Sequence, residues 1–336
     1  MSRNAVLLRR ALLSWYDANR RPLPWRRSRN SYRVWVAEVM LQQTRIEVVR
    51  KAYTRFLRAF PSVTKLAAAG EDEVLAQWSG LGYYTRARAL RRAAIALVQS
   101  GRTRFPDDYD AARALPGVGA YTAAAVLSIA YEQPHAAIDG NVVRVLSRLA
   151  CLGRPDARGE PHRALAEELL DRRRPGDWNQ AVMELGETIC LPKSPRCGEC
   201  PLRRHCRASI DKRVHLHPPP KPRKLPEKVE LTMTLHRDRQ GRLLLQRGVF
   251  PYLPHMWLPP IDIGIPPNGA KPVAEFRHAI LHREFRIKLF VDSVTTLELR
   301  RRASARNREQ RLFGPQELAR IGRSSLLTKA LERISS

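Results

Sequence analysis

Leu115-Pro116-Gly117-Val118-Gly119-Ala120-Tyr121-Thr122-Ala123 joins two stretches of helical periodicity. Two glycines one residue apart permit a tight turn with positive φ and close approach of other backbone. The Ala-rich run from Tyr121 to Ala130 then opens a helix whose first N–H groups are free and can hold an anion. Many ordinary helix joints carry a Gly-x-Gly turn, so the meaning of this one rests on what surrounds it.

Outward from this hairpin, residues 1 to about 210 read as helix after helix. Val36, Val39 and Met40 keep i, i+3, i+4 spacing, as do Leu90, Ala93, Ala94 and Leu97. Arg-rich faces between them are, one residue at a time, ordinary solvated helix surface. Residues 212–228 change character: Lys212-Arg213-Val214-His215-Leu216-His217-Pro218-Pro219-Pro220-Lys221-Pro222-Arg223-Lys224-Leu225-Pro226 predicts an extended, basic linker. Beyond it the period shifts toward two. Leu231, Met233 and Leu235 alternate with Thr232 and Thr234, Gln240-Gly241 marks a turn before Leu243-Leu244-Leu245, Phe285 to Val291 is strand-like, and a helix is expected from Ser325 onward. The chain therefore divides into a helical region 1–211 with its hairpin at about 113–131, the linker 212–228, and a small α+β region 229–336. No internal repeat is present.

The 336 residues carry 60 lysines and arginines against 32 aspartates and glutamates, a formal charge of +28. Such a charge repels itself unless a polyanion compensates it, and phosphate contacts with counterion release make nucleic acid the favoured partner. An anionic membrane surface or a bias toward Arg is the blander reading. No run of about 18 uncharged apolar residues predicts a membrane span, and the basic start, Met1 to Arg10, is not followed by the apolar stretch of a signal peptide. Against this background the hairpin Gly117-Val118-Gly119 reads as a grip on a nucleic-acid backbone.

Four of five cysteines crowd into 17 residues: Cys190, Cys197, Cys200 and Cys206, in the order C-x6-C-x2-C-x5-C. Crowding and the odd count point to a metal site, not a disulfide framework, and to a reducing compartment. Four soft thiolates suit an iron–sulfur cluster or tetrahedral zinc. Zinc ribbons usually show two short knuckles; here there is one, and the wider outer gaps leave room for a cubane. Flanking Lys193, Arg196, Arg203, Arg204, His205 and Arg207 would give a loop pinned by such a centre the character of a phosphate clamp. Cys151 stands apart and reads as a buried free thiol.

Two acids stand out. Glu38 lies in the otherwise apolar Val36-Ala37-Glu38-Val39-Met40-Leu41-Gln42-Gln43-Thr44, where burial would raise its pKa and let it hold a proton for general acid catalysis; an exposed or salt-bridged glutamate is the plain alternative. Asp139-Gly140-Asn141 is, on its own, a turn or a helix N-cap.

Together, Leu23-Pro24-Trp25-Arg26, Glu38 to Thr44, Gly80-Leu81-Gly82-Tyr83-Tyr84, Leu115 to Gly119, Asp139-Gly140-Asn141 and the cysteine spacing resemble the helix–hairpin–helix DNA glycosylases. More narrowly they resemble the adenine DNA glycosylases that remove adenine mispaired with 8-oxoguanine or guanine. The hairpin and cysteines fit the whole superfamily, endonuclease III included; the 38–44 and 80–84 strings are far more specific to the adenine branch. The resemblance implies a multidomain protein: an all-α helix–hairpin–helix glycosylase core with a [4Fe-4S] cluster on the 190–206 loop, and a C-terminal Nudix-like α+β domain that inspects the lesion.

By position, the resemblance gives Glu38 the task of protonating adenine N7 and activating water. Asp139 would stabilise an oxocarbenium-like sugar, with Asn141 orienting it or the water, and Tyr121 would lie near the sugar. Arg21, Trp25, Arg26 and Gln180 would line the adenine pocket. Gln43 and Tyr83 would wedge into the base stack, Leu81 would pack beside the orphaned base, and Thr44 would lie near it. A flipped base needs such a plug. Position 121 carries Lys in strand-cutting relatives and Tyr here; position 143, a sugar-trapping Lys in some adenine glycosylases, is Val143. Both predict base removal by water without strand cleavage. The lesion-reading Phe-Ser-His loop of the family aligns with Ile280-Leu281-His282, so Leu281 lacks the expected hydroxyl. The phosphohydrolase box of clustered glutamates is missing, so no Nudix hydrolase activity is expected. The resemblance further implies a monomer acting on double-stranded DNA, in the cytoplasm at the nucleoid, as in bacteria. An endonuclease III-like oxidised-pyrimidine glycosylase is the alternative enzyme, which would want Lys at 121. A non-catalytic iron–sulfur DNA-binding protein would not need Glu38 and Asp139 together.

Overall fold

The computed structural model describes residues 3–156, 159–220, 225–248, 250–263, 271–298, 309–318 and 320–334. These form two compact units, one of 1–68 with 89–222, the other of 69–88 with 223–336.

The first unit is helical. Its elements are α1 (Arg3–Asn19), α2 (Ser31–Leu41), α3 (Ile46–Ala59), α4 (Val63–Ala68), the greater part of α6 (Thr85–Gln99), α7 (Tyr109–Arg113), α8 (Ala120–Tyr131), α9 (Gly140–Ala150), α10 (His162–Leu169), α11 (Pro175–Thr188) and α12 (Arg207–Ile210); α5 (Glu71–Gln77) belongs to the second unit. Helix α8 carries Ala123, Ala124 and Ala125, all buried, and these small side chains let α2 and α11 approach it closely. A core of Leu8, Leu12, Tyr16, Val145, Leu146, Leu169, Trp178 and Leu185 joins α1, α9, α10 and α11, and Cys190, Cys200 and Cys206 pack against it.

The hairpin before α8 is a β-turn in which the Val118 N–H donates to the Leu115 carbonyl at 3.1 Å. Pro116 and Gly117 occupy the positions that a type II turn assigns to Pro and to a residue with positive φ. Gly117 has φ +76°, and a Cβ there would come within 2.5 Å of the Ala89 side chain, so glycine is required twice over. Gly119 is different: its backbone is extended, and it serves as the N-cap of α8 with no side-chain capping bond.

In the second unit a six-stranded sheet runs in the order β4-β5-β1-β2-β6, with β3 also paired to β1; the strands are β1 (Glu227–Arg237), β2 (Leu243–Gln246), β3 (Ile261–Ile263), β4 (Ala274–Ile280), β5 (Arg283–Ser293) and β6 (Gln310–Phe313). Strand β1 pairs parallel with β5 and antiparallel with β2 and β3, so the sheet is mixed. Leu231, Met233, Leu235, Phe285, Ile287 and Leu289 are buried, but the alternation is broken by the buried Thr232 and Phe290, and every residue of β2 is buried. The helices α13 (Pro315–Leu318) and α14 (Ser325–Glu332) follow, the second capped by the Ser324 hydroxyl. Ala319 and the linker residues 221–224 lie outside the described residues.

The structure groups 69–88 with the sheet, not with the helices that flank it in sequence. Tyr84 donates its phenol to the Arg323 carbonyl at 2.7 Å, Arg247 pairs with Asp72, and a Cβ at Gly322 would strike the Leu75 backbone. The first part of the predicted extended linker is tied down as well. Val214–Leu216 forms a 3-10 turn, the His217 carbonyl accepts from Arg148, and its ring meets the Leu152 carbonyl.

Candidate active site

Helix α2 is apolar on nearly all sides, so it is buried on nearly all sides. Glu38, in its last turns, is 5% exposed. Its carboxylate accepts a 2.6 Å hydrogen bond from the phenol of Tyr121, one residue into α8, and the same hydroxyl lies 3.6 Å from Met183 Sδ. Burial pushes the Glu38 carboxyl up to about 7; the nearby Asp139 charge adds to this, while the Tyr121 bond and Arg26 oppose it. Near neutral pH a substantial fraction of the molecules therefore holds a transferable proton there. The Tyr121 phenol is held well above its ordinary value by burial and by Glu38, and stays protonated.

Asp139 is the N-cap of α9, as the plain reading of its turn supposes. One carboxylate oxygen accepts from the Val142 N–H at 2.7 Å, the other from the Asn141 amide at 3.0 Å. Burial pushes its carboxyl up, and these bonds with Arg144 pull it down. Arg144, one turn along, donates to Asn141 Oδ1 at 2.8 Å, to the Gly186 carbonyl at 2.7 Å and to the Cys190 carbonyl at 2.8 Å. A continuous run of hydrogen bonds thus reaches from Asp139 to the cysteine loop. Gly186 permits it: a Cβ there would sit 2.7 Å from the Asn141 side chain.

A charged cluster also lines the site. Glu184 on α11, 1% exposed, receives Arg21 through Nε at 2.6 Å and NH2 at 2.8 Å, and Arg26 through NH2 at 2.8 Å. Burial alone would raise its carboxyl; the two guanidinium groups outweigh it and hold it at about 2. Arg21 also pairs with Glu187 at 2.8 Å. Arg26 Nε is buried with no hydrogen-bond partner. Trp25 stands edge-on to Tyr53, with ring centroids 5.6 Å apart.

The site encloses a cavity of about 870 Å³. Of the residues singled out from sequence, Arg21, Trp25, Arg26, Glu38, Gln43, Thr44, Gly117, Gly119, Tyr121, Asp139, Asn141 and Gln180 line it. Val118 is buried behind the turn. Leu81 and Tyr83 do not line it. They lie in the second unit, where Leu81 is buried and Tyr83, at φ +46°, is half exposed. Gln42, Arg144, Met183 and Glu184 line the cavity but escape the sequence reading. Glu184 carries the same signal as Glu38, an acid between apolar neighbours, here Val182, Met183 and Leu185.

Cys190, Cys197, Cys200 and Cys206 line one small cavity with Arg148 and Arg203, and none is in a disulfide. Burial pushes the Cys200 thiol up to about 12 and raises Cys206, and the neighbouring cysteines add to both shifts. Four thiolates this close need positive charge at their centre, which an iron–sulfur cluster supplies. Arg148, buried on α9, donates to Cys190 Sγ at 3.2 Å and to the carbonyls of residues 190, 191 and 192, fixing the loop from behind. Among the described residues no three metal-binding side chains converge on a point sized for one ion. Cys151, the expected buried thiol, is only partly buried, with φ +54° at the C-cap of α9.

In the second unit Leu281 forms, with His282, the two-residue turn between Ile280 and Arg283 that joins β4 to β5. It is 70% exposed with φ +56°, unusual for a bulky side chain. A cavity of about 320 Å³ beside it is lined by Tyr83, Tyr84, Tyr252, His255 and His278, and burial pushes His278 down to about 4. No helix among the described residues is long and apolar enough to cross a membrane.

Residues 36–170 match the family model of the HhH-GPD superfamily base excision DNA repair proteins, and 190–206 match the iron–sulfur binding domain of endonuclease III. That match, with the cavity the four cysteines line, supports a [4Fe-4S] cofactor in this chain. An adenine DNA glycosylase of Rattus norvegicus is 46% identical over 217 residues, 61% of this chain and 42% of the relative. That of Homo sapiens is 44% identical over 212 residues, 60% and 39%. This chain thus spans well under half the length of these mammalian relatives. The adenine DNA glycosylase of Buchnera aphidicola subsp. Acyrthosiphon pisum is 31% identical over 291 residues, 81% of this chain and 83% of the relative. Among solved structures, a thermostable thymine-DNA glycosylase has 26% identity and a TM-score of 0.56, covering 62% of this chain and 97% of its own. A non-covalent endonuclease III–DNA complex, at 24% identity and a TM-score of 0.54, shares the fold.

Proposed function

The chain belongs to the adenine DNA glycosylase family, and on that premise we propose that it acts in base-excision repair, removing adenine opposite 8-oxoguanine or guanine by hydrolysis of the N-glycosidic bond. The observation that carries this reading is the buried Glu38 carboxyl, bonded to Tyr121 and raised toward neutrality in a cavity large enough for a flipped base. An adenine leaves poorly until a ring nitrogen is protonated, and a carboxyl that holds its proton near pH 7 is the group to deliver it.

In this reading Glu38 protonates N7 and, as carboxylate, then activates water. Asp139, held by the α9 N-terminus and Asn141, stabilises the positive charge that grows on the sugar, and Tyr121 keeps Glu38 in place. Arg21, Trp25, Arg26 and Gln180 form the adenine pocket, with Glu184 fixing the two arginines. The unpartnered Arg26 Nε is a donor that an acceptor nitrogen of the base would satisfy. Gln43, Tyr83, Leu81 and Thr44 fill or flank the gap left in the duplex. The uncapped first turn of α8 after Gly117-Val118-Gly119, with the net charge of +28, holds the DNA backbone. Tyr121 and Val143 supply no amine, so the strand stays intact. The region beyond the linker we read as a Nudix-like lesion-inspecting domain, with weakened 8-oxoguanine preference because Leu281 brings no hydroxyl.

Single-turnover reactions with adenine opposite 8-oxoguanine, guanine, cytosine and thymine test this. Alkali-labile abasic sites are expected for the first two pairs, with uncut strands before alkali and no borohydride-trapped adduct. Release of an oxidised pyrimidine in place of adenine would favour the endonuclease III-like alternative.

A further inference from the structure

Two turns face the catalytic cavity, and they are held by different means. In Leu115–Val118 the proline and glycine impose the geometry. In Leu41–Thr44 the Thr44 N–H donates to the Leu41 carbonyl at 3.3 Å, Gln42 has φ −56° and ψ 114°, and Gln43 has φ +56°. This too is a type II turn. Its second position lacks proline, and its third, where glycine belongs, holds a long side chain in the left-handed region. Neither residue type at 42–43 favours it, and within the turn the Thr44 hydroxyl makes a long bond of 3.4 Å to the Gln42 carbonyl, so support from the surrounding structure matters.

One such support comes from α8. Gln42 Nε2 donates to the Thr122 hydroxyl at 3.0 Å, across 80 residues of sequence. Thr122 is 1% exposed, in the first turn of α8 and next to Tyr121. Gln42, Gln43, Thr44 and Thr122 all line the cavity. We propose that Gln42 is a positioning residue: through the Thr122 hydroxyl it latches the 41–44 turn in its disfavoured form, so that Gln43 and Thr44 are presented in the cavity wall. Its consequence for base extrusion rests on the functional reading above. The latch ties that presentation to the helix that carries Tyr121, so the groups that fill the gap in the duplex and the groups that do the chemistry move as one piece.

Thr122→Val removes the hydroxyl and keeps the shape; Thr122→Ser keeps the hydroxyl; Gln42→Met removes the donor from the other side and serves if the valine variant does not fold. Hydrogen exchange on the unbound protein reads the latch directly. Faster exchange confined to the peptide covering 41–46 is expected in Thr122→Val and Gln42→Met, and wild-type exchange in Thr122→Ser. Fluorescence of 2-aminopurine placed opposite 8-oxoguanine reads extrusion, and single-turnover release of adenine reads the outcome. Both rates are expected to fall about three- to tenfold in Thr122→Val, the range for one lost hydrogen bond, and to recover in Thr122→Ser. In a double-mutant cycle, adding Thr122→Val to Gln43→Gly should cause no further loss, since glycine adopts the turn freely and leaves no side chain to present. Unchanged exchange or unchanged rates in Thr122→Val, a serine variant as impaired as valine, or additive losses with Gln43→Gly would each overturn the latch. If the wild-type protein releases no adenine from any duplex, the functional reading fails while the exchange result still decides the latch.

Discussion

Glu38 and Glu184 line one cavity, on helices α2 and α11, and both are almost completely buried. Burial pushes both carboxyls in the same direction, yet Glu38 sits at about 7 and Glu184 at about 2. The partners account for the difference. Glu38 faces a neutral phenol and a like charge at Asp139, whereas Glu184 is clasped by Arg21 and Arg26. One carboxyl therefore stores a proton that can be given away, and the other stores a fixed charge that holds two guanidinium groups still. Neither burial nor residue type assigns these roles; the charge of the neighbour does.

The sharpest way to break this contrast is Glu38→Gln. The amide keeps the shape and loses the proton, so adenine release should fall about 10²–10⁴-fold while mismatch binding is retained; release near the wild-type rate would remove Glu38 from the chemistry. Glu184→Gln should act first on stability. It leaves Arg21 and Arg26 without their shared carboxylate, and a loss of about 1–3 kcal/mol is expected from bonds of this kind, read as a lowered urea midpoint. The sign with pH is set by the depressed pKa of Glu184. Its contribution is present above the unfolded value near 4.5 and is lost as pH falls toward about 2, so the gap between variant and wild type should narrow on acidification from pH 7 to 3.

Glu38 should show the reverse. Its raised pKa means that its favourable contribution is present below 4.5 and lost as pH rises through about 7, so Glu38→Gln should match or exceed wild-type stability above pH 7. Adenine release should decline over the same interval, approaching tenfold per pH unit beyond it; a rate flat from pH 6 to 9 would mean that Glu38 does not titrate as the acid. The smallest effect concerns Tyr121→Phe. Its phenol lowers the Glu38 pKa, so removing it should move this alkaline limb upward, whatever happens to the plateau. A limb that moves down would show that Tyr121 acts on Glu38 by another route.

Much of the frame was legible residue by residue. The Pro116-Gly117 turn, the C-x6-C-x2-C-x5-C spacing, and the shift of period after the Pro-rich stretch each follow from interactions within a few residues of chain. Glu38 is visible as an acid among apolar neighbours, and Glu184 carries the same pattern between Met183 and Leu185. The grouping of 69–88 with the sheet, the parallel pairing of β1 with β5, and the two arginines α9 directs at the cysteine loop left no local mark, because each depends on surfaces brought together only by folding.

By itself, then, the sequence determined the short-range features: which segments coil, where the turns fall, which thiols can share one centre, and which acids are candidates for burial. These depend on backbone sterics, side-chain period and ligand spacing, all expressed over a few residues. Only the tertiary structure decided what state those acids are in. Tyr121 reaches Glu38 across 83 residues and Arg21 reaches Glu184 across 163. A buried carboxyl keeps or loses its proton according to the charge a few ångströms away, and that neighbour is set by the packing of helices, not by the chain on either side of it.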